Sequence, residues 1–570
     1  MTYKSLSALL LVPILFCITS GPLYAEPTPP SGEASVDGVW QWSVPARSIP
    51  DRRAFLWIPP DCEHVRGLVV AVHNMLETPL FERRAFRDAC AQSNIGLLVI
   101  FSGHDRIGSD DKDPNHPRRS ALDIFLNPNF PKGQEDPKGA GEDLQKVLDA
   151  LAEESGYAEL RHVPIMPVGH SSAGSFVWHL YRWDPSRIFA MMPFKTGIKD
   201  DGPANIPIFN VESEWFDYGN ASNNVSTKPT DIKAQMSVRA KNPAALFGFY
   251  IDVGAGHCDV SDDSMKLVSL FLKKAVAARI PADAPIDQPV HLKPVSVESG
   301  WLLDVEKFGK PENRAVPHAQ WKGDQSHAFW YFDQEMAQGV QDHVAAQFAK
   351  KPQQINFVKD DGSVSTDGGT YNFSPKFIDD IGTFRLQAKY IDELTKSDLY
   401  PGEKLENDGE PILYRVNSGA VVQVGPDAFR ICPHGGPIVP QGNPWEPTIV
   451  AYTLGDDAFR PTERPAHARV DIINRKGEEQ TLDFPEIPSP DAGTATVPLT
   501  AKASSGLPVE YYVISGPAQV GEDGKSLTLL PVPPKTKHPV RVLVAAFQWG
   551  RSTAPRVQSA GPVIREFLIH

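Results

Sequence analysis

Cysteine is scarce in this sequence, with five among 570 residues, and no two are spaced as a CxxC pair. That pattern argues against a zinc ribbon and against a small scaffold held by many disulfides. Long apolar runs are missing after residue 25, so no later segment reads as a membrane-spanning helix. Positive charge is in deficit: 56 Lys and Arg stand against 70 Asp and Glu, a formal net charge of −14. A surface of that sign repels polyanions, and no run of Lys and Arg is long enough to form a basic patch. Nucleic acid and anionic membrane are therefore set aside as partners. No strong internal repeat is present, which argues against a solenoid.

What is there is ordinary for a globular chain: 41% hydrophobic and 22% charged residues. At ~100–200 residues per domain, the length suggests roughly three units. The first 25 residues stand apart. Lys4 opens them, "LSALLLVPILFCITS" is an apolar core, Gly21 and Pro22 break it, and "LYA" ends at Ala25. This is the pattern of a cleaved secretory signal. The short run and Pro13 argue against a membrane anchor, and Phe16 before Cys17 argues against a lipid-modified cysteine. The mature chain is expected to be exported, secreted or periplasmic, and free of the membrane. Export permits disulfides. Cys62 and Cys90 share one unit and could pair; the alternative is buried free thiols.

From residue 37, strands and helices alternate. "GVWQWSVP" and "RAFLWIPP" read as a hairpin, and "RGLVVAVHN" and "IGLLVIFSG" as strands buried on both faces. "LFERRAFRDACAQS" and "EDLQKVLDALAEES" have helical spacing. Between them, His104 to Gly139 is too long for a simple connector and is expected to loop near the site. "IFAMMPFKTG", "IPIFNVESE" and "LFGFYIDVG" read as further strands. "SDDSMKLVSLFLKKAVAARIP" reads as a closing helix, capped by Ser261 and stopped by Pro281. The fold class is α/β, with a mainly parallel central sheet, over residues 26–285. A mixed, β-rich region follows over 286–485, in which "AFWYFDQEMAQGVQDHVAAQFAK" looks helical. Residues 486–570 carry closely spaced β runs, as a small β-sandwich would.

The chemistry lies in "HVPIMPVGHSSAGSFVWHL", residues 162–180. A strand, a cluster of small residues and a helix form the context of a nucleophile elbow, in which a serine sits on a sharp turn. The residues two before and two after that serine must be small. For Ser171 they are Gly169 and Ala173; for Ser172 they are His170 and Gly174, where an imidazole would clash. Ser171 is thus the nucleophile, and the backbone N–H of Ser172 faces the developing oxyanion. A base must take the hydroxyl proton. His179 lies eight residues along the same helix, roughly 12 Å away, out of reach. His257, in "DVGAGHCD" after the last strand, is the base. The acid that orients it comes from "IPIFNVESEWFDYG": Glu214 first, Asp217 second, with Glu212 continuing the strand. The second oxyanion donor is the backbone N–H of Asn74 or Met75 in "VHNMLE". Trp215 and Phe216 either wall a pocket or belong to the core. Arg106, Arg118 and Arg119 either attract an acidic substrate or are solvated surface. "DDGS" and "TDGG" near residue 360 are better explained as turns than as a cation loop.

On these residues, 37–281 resembles the α/β-hydrolase superfamily, and within it secreted esterases of the polyhydroxybutyrate-depolymerase and feruloyl-esterase type. Ala173 in place of the usual glycine is a departure. The resemblance implies a Ser–acid–His triad and an acyl-enzyme route, with no cofactor and no metal. The implied partner is an ester substrate, with polysaccharide esters or polyesters in view. A peptidase on the same fold and an inert polymer-binding protein are the alternatives. The tail, with "GLPVEYYVISGPAQV", is similar to immunoglobulin-like modules of exported proteins.

Overall fold

Strands that are apolar from end to end demand cover on both faces, and here they receive it. The computed structural model describes residues 39–46, 53–101, 137–196, 198, 203, 205–215, 238–364, 370–393, 404–432, 447–468, 474–491 and 493–570. The leader, Arg106, Arg118, Arg119, Phe216, Asp217 and "TDGG" lie outside the described residues. Eight strands form one sheet: β1 (Trp42–Pro45), β2 (Arg53–Trp57), β3 (Gly67–Val72), β4 (Ile95–Phe101), β5 (Ile165–His170), β6 (Met192–Phe194), β7 (Ile208–Ser213) and β8 (Phe247–Asp252). Their order is β1-β2-β4-β3-β5-β6-β7-β8. The β1–β2 and β2–β4 pairs are antiparallel, and every later pair is parallel. β3, β5, β7 and β8 are buried at every position. Helix Arg84–Gln92 packs on helix Asp262–Arg279, and helix Pro137–Ser155 on helix Gly174–Trp183. Ser261 caps Asp262–Arg279 by accepting from the Ser264 N–H, as its sequence implied.

Two predicted helices are corrected. The run from Leu80 to Ser93 is not continuous: helices Glu77–Glu82 and Arg84–Gln92 are separated at Arg83, whose ψ is 129°. Tertiary contact outweighs helical periodicity there. Arg83 turns inward, donates to the Val260 carbonyl at 2.9 Å and lies 3.5 Å from Asp262. The second correction is at Ala328, where "AFWY" is a strand paired with Trp301–Asp304. Aromatic residues favour a pleated, half-buried surface. Asp333 then caps a helix over Gln334–Phe348 through the Met336 N–H.

The edges of the main sheet are covered by later parts of the chain, which removes the hazard of open strand edges. At β8, the Tyr331 hydroxyl donates to the Phe249 carbonyl at 2.6 Å. At the other edge, the Gly516 N–H donates to the Trp40 carbonyl, and the Ser43 and Ser515 hydroxyls are 2.7 Å apart. Strands Leu413–Ser418, Thr448–Thr453, Thr462–Ala468 and Tyr371–Phe373 make a four-stranded sheet in the middle region. In the tail, one sheet contains Thr496–Pro498, Ser526–Leu529 and Ala518–Val520, and another contains Glu510–Ser515, Val540–Gln548 and Ala560–Ile569. Val497, Leu527, Tyr511, Val544 and Phe567, drawn from both sheets, share one core. Cys62 and Cys90 are free and buried, so the pairing they could have made is absent. "DDGS" is a turn in which Asp361 accepts from the Ser363 N–H at 2.9 Å. Among the described residues, no helix is long and apolar enough to cross a membrane.

Candidate active site

β5 ends at His170, a short 3-10 turn spans Ser171–Ala173, and helix Gly174–Trp183 begins at once. Ser171 has φ of 53°, in the left-handed region. A non-glycine residue held there costs of order 1–3 kcal/mol, which the surrounding packing must offset. The packing is tight. A Cβ at Gly169 would lie 2.2 Å from the Ala173 carbonyl oxygen, and one at Gly174 would lie 2.3 Å from Thr196 Oγ1. The bare Gly174 lets Thr196 approach, and its hydroxyl donates to the Ser171 carbonyl at 2.5 Å. Ser171 itself is half-buried, whereas His170 and Ala173 are fully enclosed. The helix has no side-chain cap, so its first N–H groups, beside the crest, favour negative charge.

His257 is half-buried on the loop that follows β8. Its ring centroid is 4.7 Å from that of His170, the residue before Ser171. His170 Nε2 donates to the His257 carbonyl at 2.9 Å. The serine crest and the histidine loop therefore meet. Every carbonyl of the loop from Gly254 to Val260 accepts a hydrogen bond from outside it. The donors, in order, are the Glu463 N–H, the Trp215 N–H, Lys195 Nζ, His170 Nε2, Asn417 Nδ2, Lys195 Nζ again and Arg83 Nη2. A loop without regular structure is restrained when its carbonyls are answered by fixed partners.

Lys195 is the central peg. It follows β6 with φ of 49° and is fully buried. Its ammonium bonds the Gly256 and Asp259 carbonyls at 2.8 and 2.6 Å and lies 3.2 Å from Asp252 Oδ2. Burial opposes ionisation of Asp259, but Arg415, the Glu463 carboxyl, Lys195 and Arg83 pull it down to about 2. Burial pushes Glu463 well above the usual carboxylate range, against the pull of Arg415, and Asp259 adds to that rise. Replacing Lys195 with Met leaves Asp252 with the Ser261 hydroxyl but without its cation, and takes the donor from two buried carbonyls. Urea unfolding of Lys195→Met is expected to show about 3–5 kcal/mol of lost stability.

The predicted oxyanion donors Asn74 and Met75 lie beside the crest, since Asn74 Nδ2 donates to the His170 carbonyl at 3.0 Å. Their backbone N–H groups both donate to Glu77 Oε2, at 2.8 and 3.1 Å, while the His170 N–H donates to Glu77 Oε1 at 2.7 Å. Serving an oxyanion would require either N–H to share or exchange that carboxyl. Burial pushes Glu77 up to about 7, against the pull of the N–H groups of Asn74, His170, Glu77 itself and Met75. An unfolded Glu titrates near 4.3, so between about pH 4.3 and 7 the unfolded chain holds fewer protons than the native one, and stability falls as pH rises. Relative to Glu77→Gln, wild type is expected to lose up to about 3 kcal/mol between about pH 5 and pH 8 in urea titrations.

Glu214 and Trp215 follow β7 directly. Glu214 Oε1 lies 3.0 Å from Arg460 Nη1, both buried, and Oε2 accepts the Gly254 N–H at 2.8 Å. Glu212 is buried and accepts from Asn210 Nδ2 at 2.9 Å. Trp215 is 2% exposed and packs with Ile391 and Leu405, so it is core and not pocket wall. His179 is buried along the helix after the crest. Sequence reasoning missed Glu77, Lys195, Arg415 and Asn417. The signals were faint: an acid right behind "HNML", and a lone lysine closing the apolar "IFAMMPF".

A mainly parallel eight-stranded sheet, a serine on a strained strand-to-helix turn and a histidine loop after the last strand make an α/β-hydrolase-like fold. No family model and no curated protein matches the chain. Solved structures similar to it include esterase PE8, with 15% identity, a TM-score of 0.26, and coverage of 39% of this chain and 97% of that one. A poly(3-hydroxybutyrate) depolymerase from Bordetella parapertussis shows 15% identity and a TM-score of 0.26, over 41% of this chain and 86% of that one. A dienelactone hydrolase from Anabaena variabilis shows 12% identity and a TM-score of 0.27, over 42% and 98%.

Proposed function

We propose that this protein is an exported serine hydrolase of carboxylic esters, with Ser171 as nucleophile and His257 as base. The observation that carries the reading is the left-handed Ser171 at the end of β5, with the His257 loop bonded to the residue beside it. Ser171 Oγ attacks the ester carbonyl as the His257 imidazole takes its proton. The tetrahedral oxyanion is held by the Ser172 N–H and by that of Asn74 or Met75; losing one such donor costs about 3 kcal/mol of barrier. When the C–O bond breaks, the imidazolium protonates the leaving alcohol. Water, deprotonated by the same imidazole, then frees the acid and restores Ser171. The triad acid is Asp217 or Glu214. The contacts of Glu214 with Arg460 and Gly254 favour Asp217.

Export would bring ester-bearing polysaccharides and polyesters within reach, and an immunoglobulin-like tail suits the handling of a polymer. The test is turnover of p-nitrophenyl esters, acetylated and feruloylated polysaccharides and short peptides, together with fluorophosphonate labelling of the purified protein. Ester turnover with labelling at Ser171 is expected; peptide turnover alone, or no labelling, would overturn the reading.

A further inference from the structure

The carbonyls on either side of His257 are not all held from within the α/β unit. Asn417 Nδ2, from strand Leu413–Ser418, donates to the Cys258 carbonyl at 3.1 Å. Two residues earlier on that strand, Arg415 Nη2 lies 2.5 Å from Asp259 Oδ2 and 2.5 Å from Glu463 Oε1. Asp259 is fully buried, and Arg415 is largely so. The Glu463 N–H, from strand Thr462–Ala468, donates to the Gly254 carbonyl at 2.8 Å. Fit is close as well as polar. A Cβ at Gly254 would lie 2.3 Å from the Pro461 carbonyl oxygen, and one at Gly256 would lie 2.8 Å from Pro465 Cδ. The Thr370 hydroxyl reaches Cys258 Sγ at 3.7 Å. All of these partners lie between residues 370 and 465, in the middle β-rich region.

We propose that this β-rich region is a working part of the hydrolytic site, and that Arg415 and Asn417 are positioning residues for His257. The inference rests on the reading of Ser171 and His257 given above. The His257 ring must be positioned at hydrogen-bond distance from the serine hydroxyl, with a tolerance of a fraction of an ångström. Its own loop supplies no ladder to fix it. Lys195 and His170 hold the loop from within the α/β unit, and Asn417 and Arg415 hold Cys258 and Asp259 from the middle region. Removing Arg415 leaves Asp259, a buried carboxylate, without its nearest cation. The loop then gains freedom just where the base is attached. A region appended only to bind a polymer has no need of such contacts; one that completes the catalytic geometry does.

The experiment uses the full-length protein and its variants Arg415→Met, Arg415→Lys and Asn417→Ala. Arg385→Gln is the control: it alters an exposed ion pair, with Asp427, in the same region. Three quantities are read: kcat and KM on p-nitrophenyl butyrate, the rate of fluorophosphonate labelling, and hydrogen exchange of the peptide containing residues 254–260. Arg415→Met is expected to lower kcat about 100-fold, the cost typical of an ångström-scale misplacement, with KM changed by less than about threefold. Labelling should slow in parallel, and exchange in the loop should rise. Asn417→Ala should lose roughly tenfold in kcat, Arg415→Lys should stay within about tenfold of wild type, and Arg385→Gln should match it. Faster loop exchange with unchanged kcat would overturn the proposal, as would unchanged exchange and kcat in both Arg415→Met and Asn417→Ala. A wild-type protein that neither turns over esters nor takes the label sinks the underlying reading instead, and the positioning role with it.

Discussion

Ser171→Ala is expected to lower ester hydrolysis by about 10⁶-fold and to abolish fluorophosphonate labelling, while KM moves little. The size follows from the chemistry. Without the hydroxyl no acyl-enzyme forms, and the remaining turnover relies on water in a site with oxyanion donors but no nucleophile. The fold should survive the change. Alanine fits wherever serine fits, and the strained turn is set by Gly169 against the Ala173 carbonyl and by Thr196 on the Ser171 carbonyl. Ser172→Ala is the necessary companion. It keeps the backbone N–H proposed as an oxyanion donor, so its kcat should stay within about threefold of wild type. Intact-mass spectrometry after labelling separates the two. Adduct on Ser171→Ala but not on Ser172→Ala would move the nucleophile by one residue and break the argument from the small residues at 169 and 173.

The part of this site that sequence made legible is the part with local rules. A serine turn between a strand and a helix imposes size limits two residues either side, and those limits chose Ser171 over Ser172 without any distant contact. Likewise, the place of His257 follows from chain order: a glycine-bearing loop after the last strand returns to the edge where the serine lies. The grip on that loop obeys no local rule. Asn417 is 159 positions from Cys258, and Arg415 is 156 from Asp259. Nothing in "LYRVNS" distinguishes an arginine that completes a buried ion cluster from one on a solvated strand. Lys195 was hidden for a related reason. A lysine after an apolar strand normally reaches for water, whereas Lys195, with a left-handed backbone, is bonded to the buried Gly256 and Asp259 carbonyls. The helix expected from Leu80 to Ser93 failed in the same way. Its periodicity was sound on both sides of Arg83, and a contact with Val260 decided where it breaks.

These misses share a cause that bears on how the molecule is organised. The buried cluster of Lys195, Asp252, Asp259, Arg415 and Glu463 joins two regions that composition separates at a Pro-rich boundary. A charge is tolerated in such a place only when its partners are fixed, because an unpaired buried ion costs several kcal/mol. The α/β unit thus carries Lys195, Asp252 and Asp259 of the buried network, and the middle region carries Arg415 and Glu463. Each is expected to be poorly stable without the other.

Asp217→Asn is expected to lower kcat by about 10⁴-fold, the loss found when the acid of such a triad is made neutral and the imidazole takes the wrong tautomer. Glu214→Gln is expected to behave differently. The two oxygens of Glu214 contact Arg460 and the Gly254 N–H, so its charge is matched by a buried guanidinium. Gln keeps an acceptor for Gly254 but leaves Arg460 facing a neutral group in the core. The main effect should be on stability, about 3–5 kcal/mol in urea unfolding, as for any buried pair that loses one partner. If Asp217 is the triad acid, its kcat, measured where the variant is fully folded, should remain within about tenfold of wild type. The pH–rate profile gives a second discriminator. An imidazole deprived of its anionic partner becomes easier to deprotonate, so the acidic limb should shift to lower pH in the variant that removes the true triad acid. Should Glu214→Gln show both the 10⁴-fold loss and that shift while Asp217→Asn shows neither, the acid is Glu214. Arg460, an anchor in the middle region, would then bear on the triad itself.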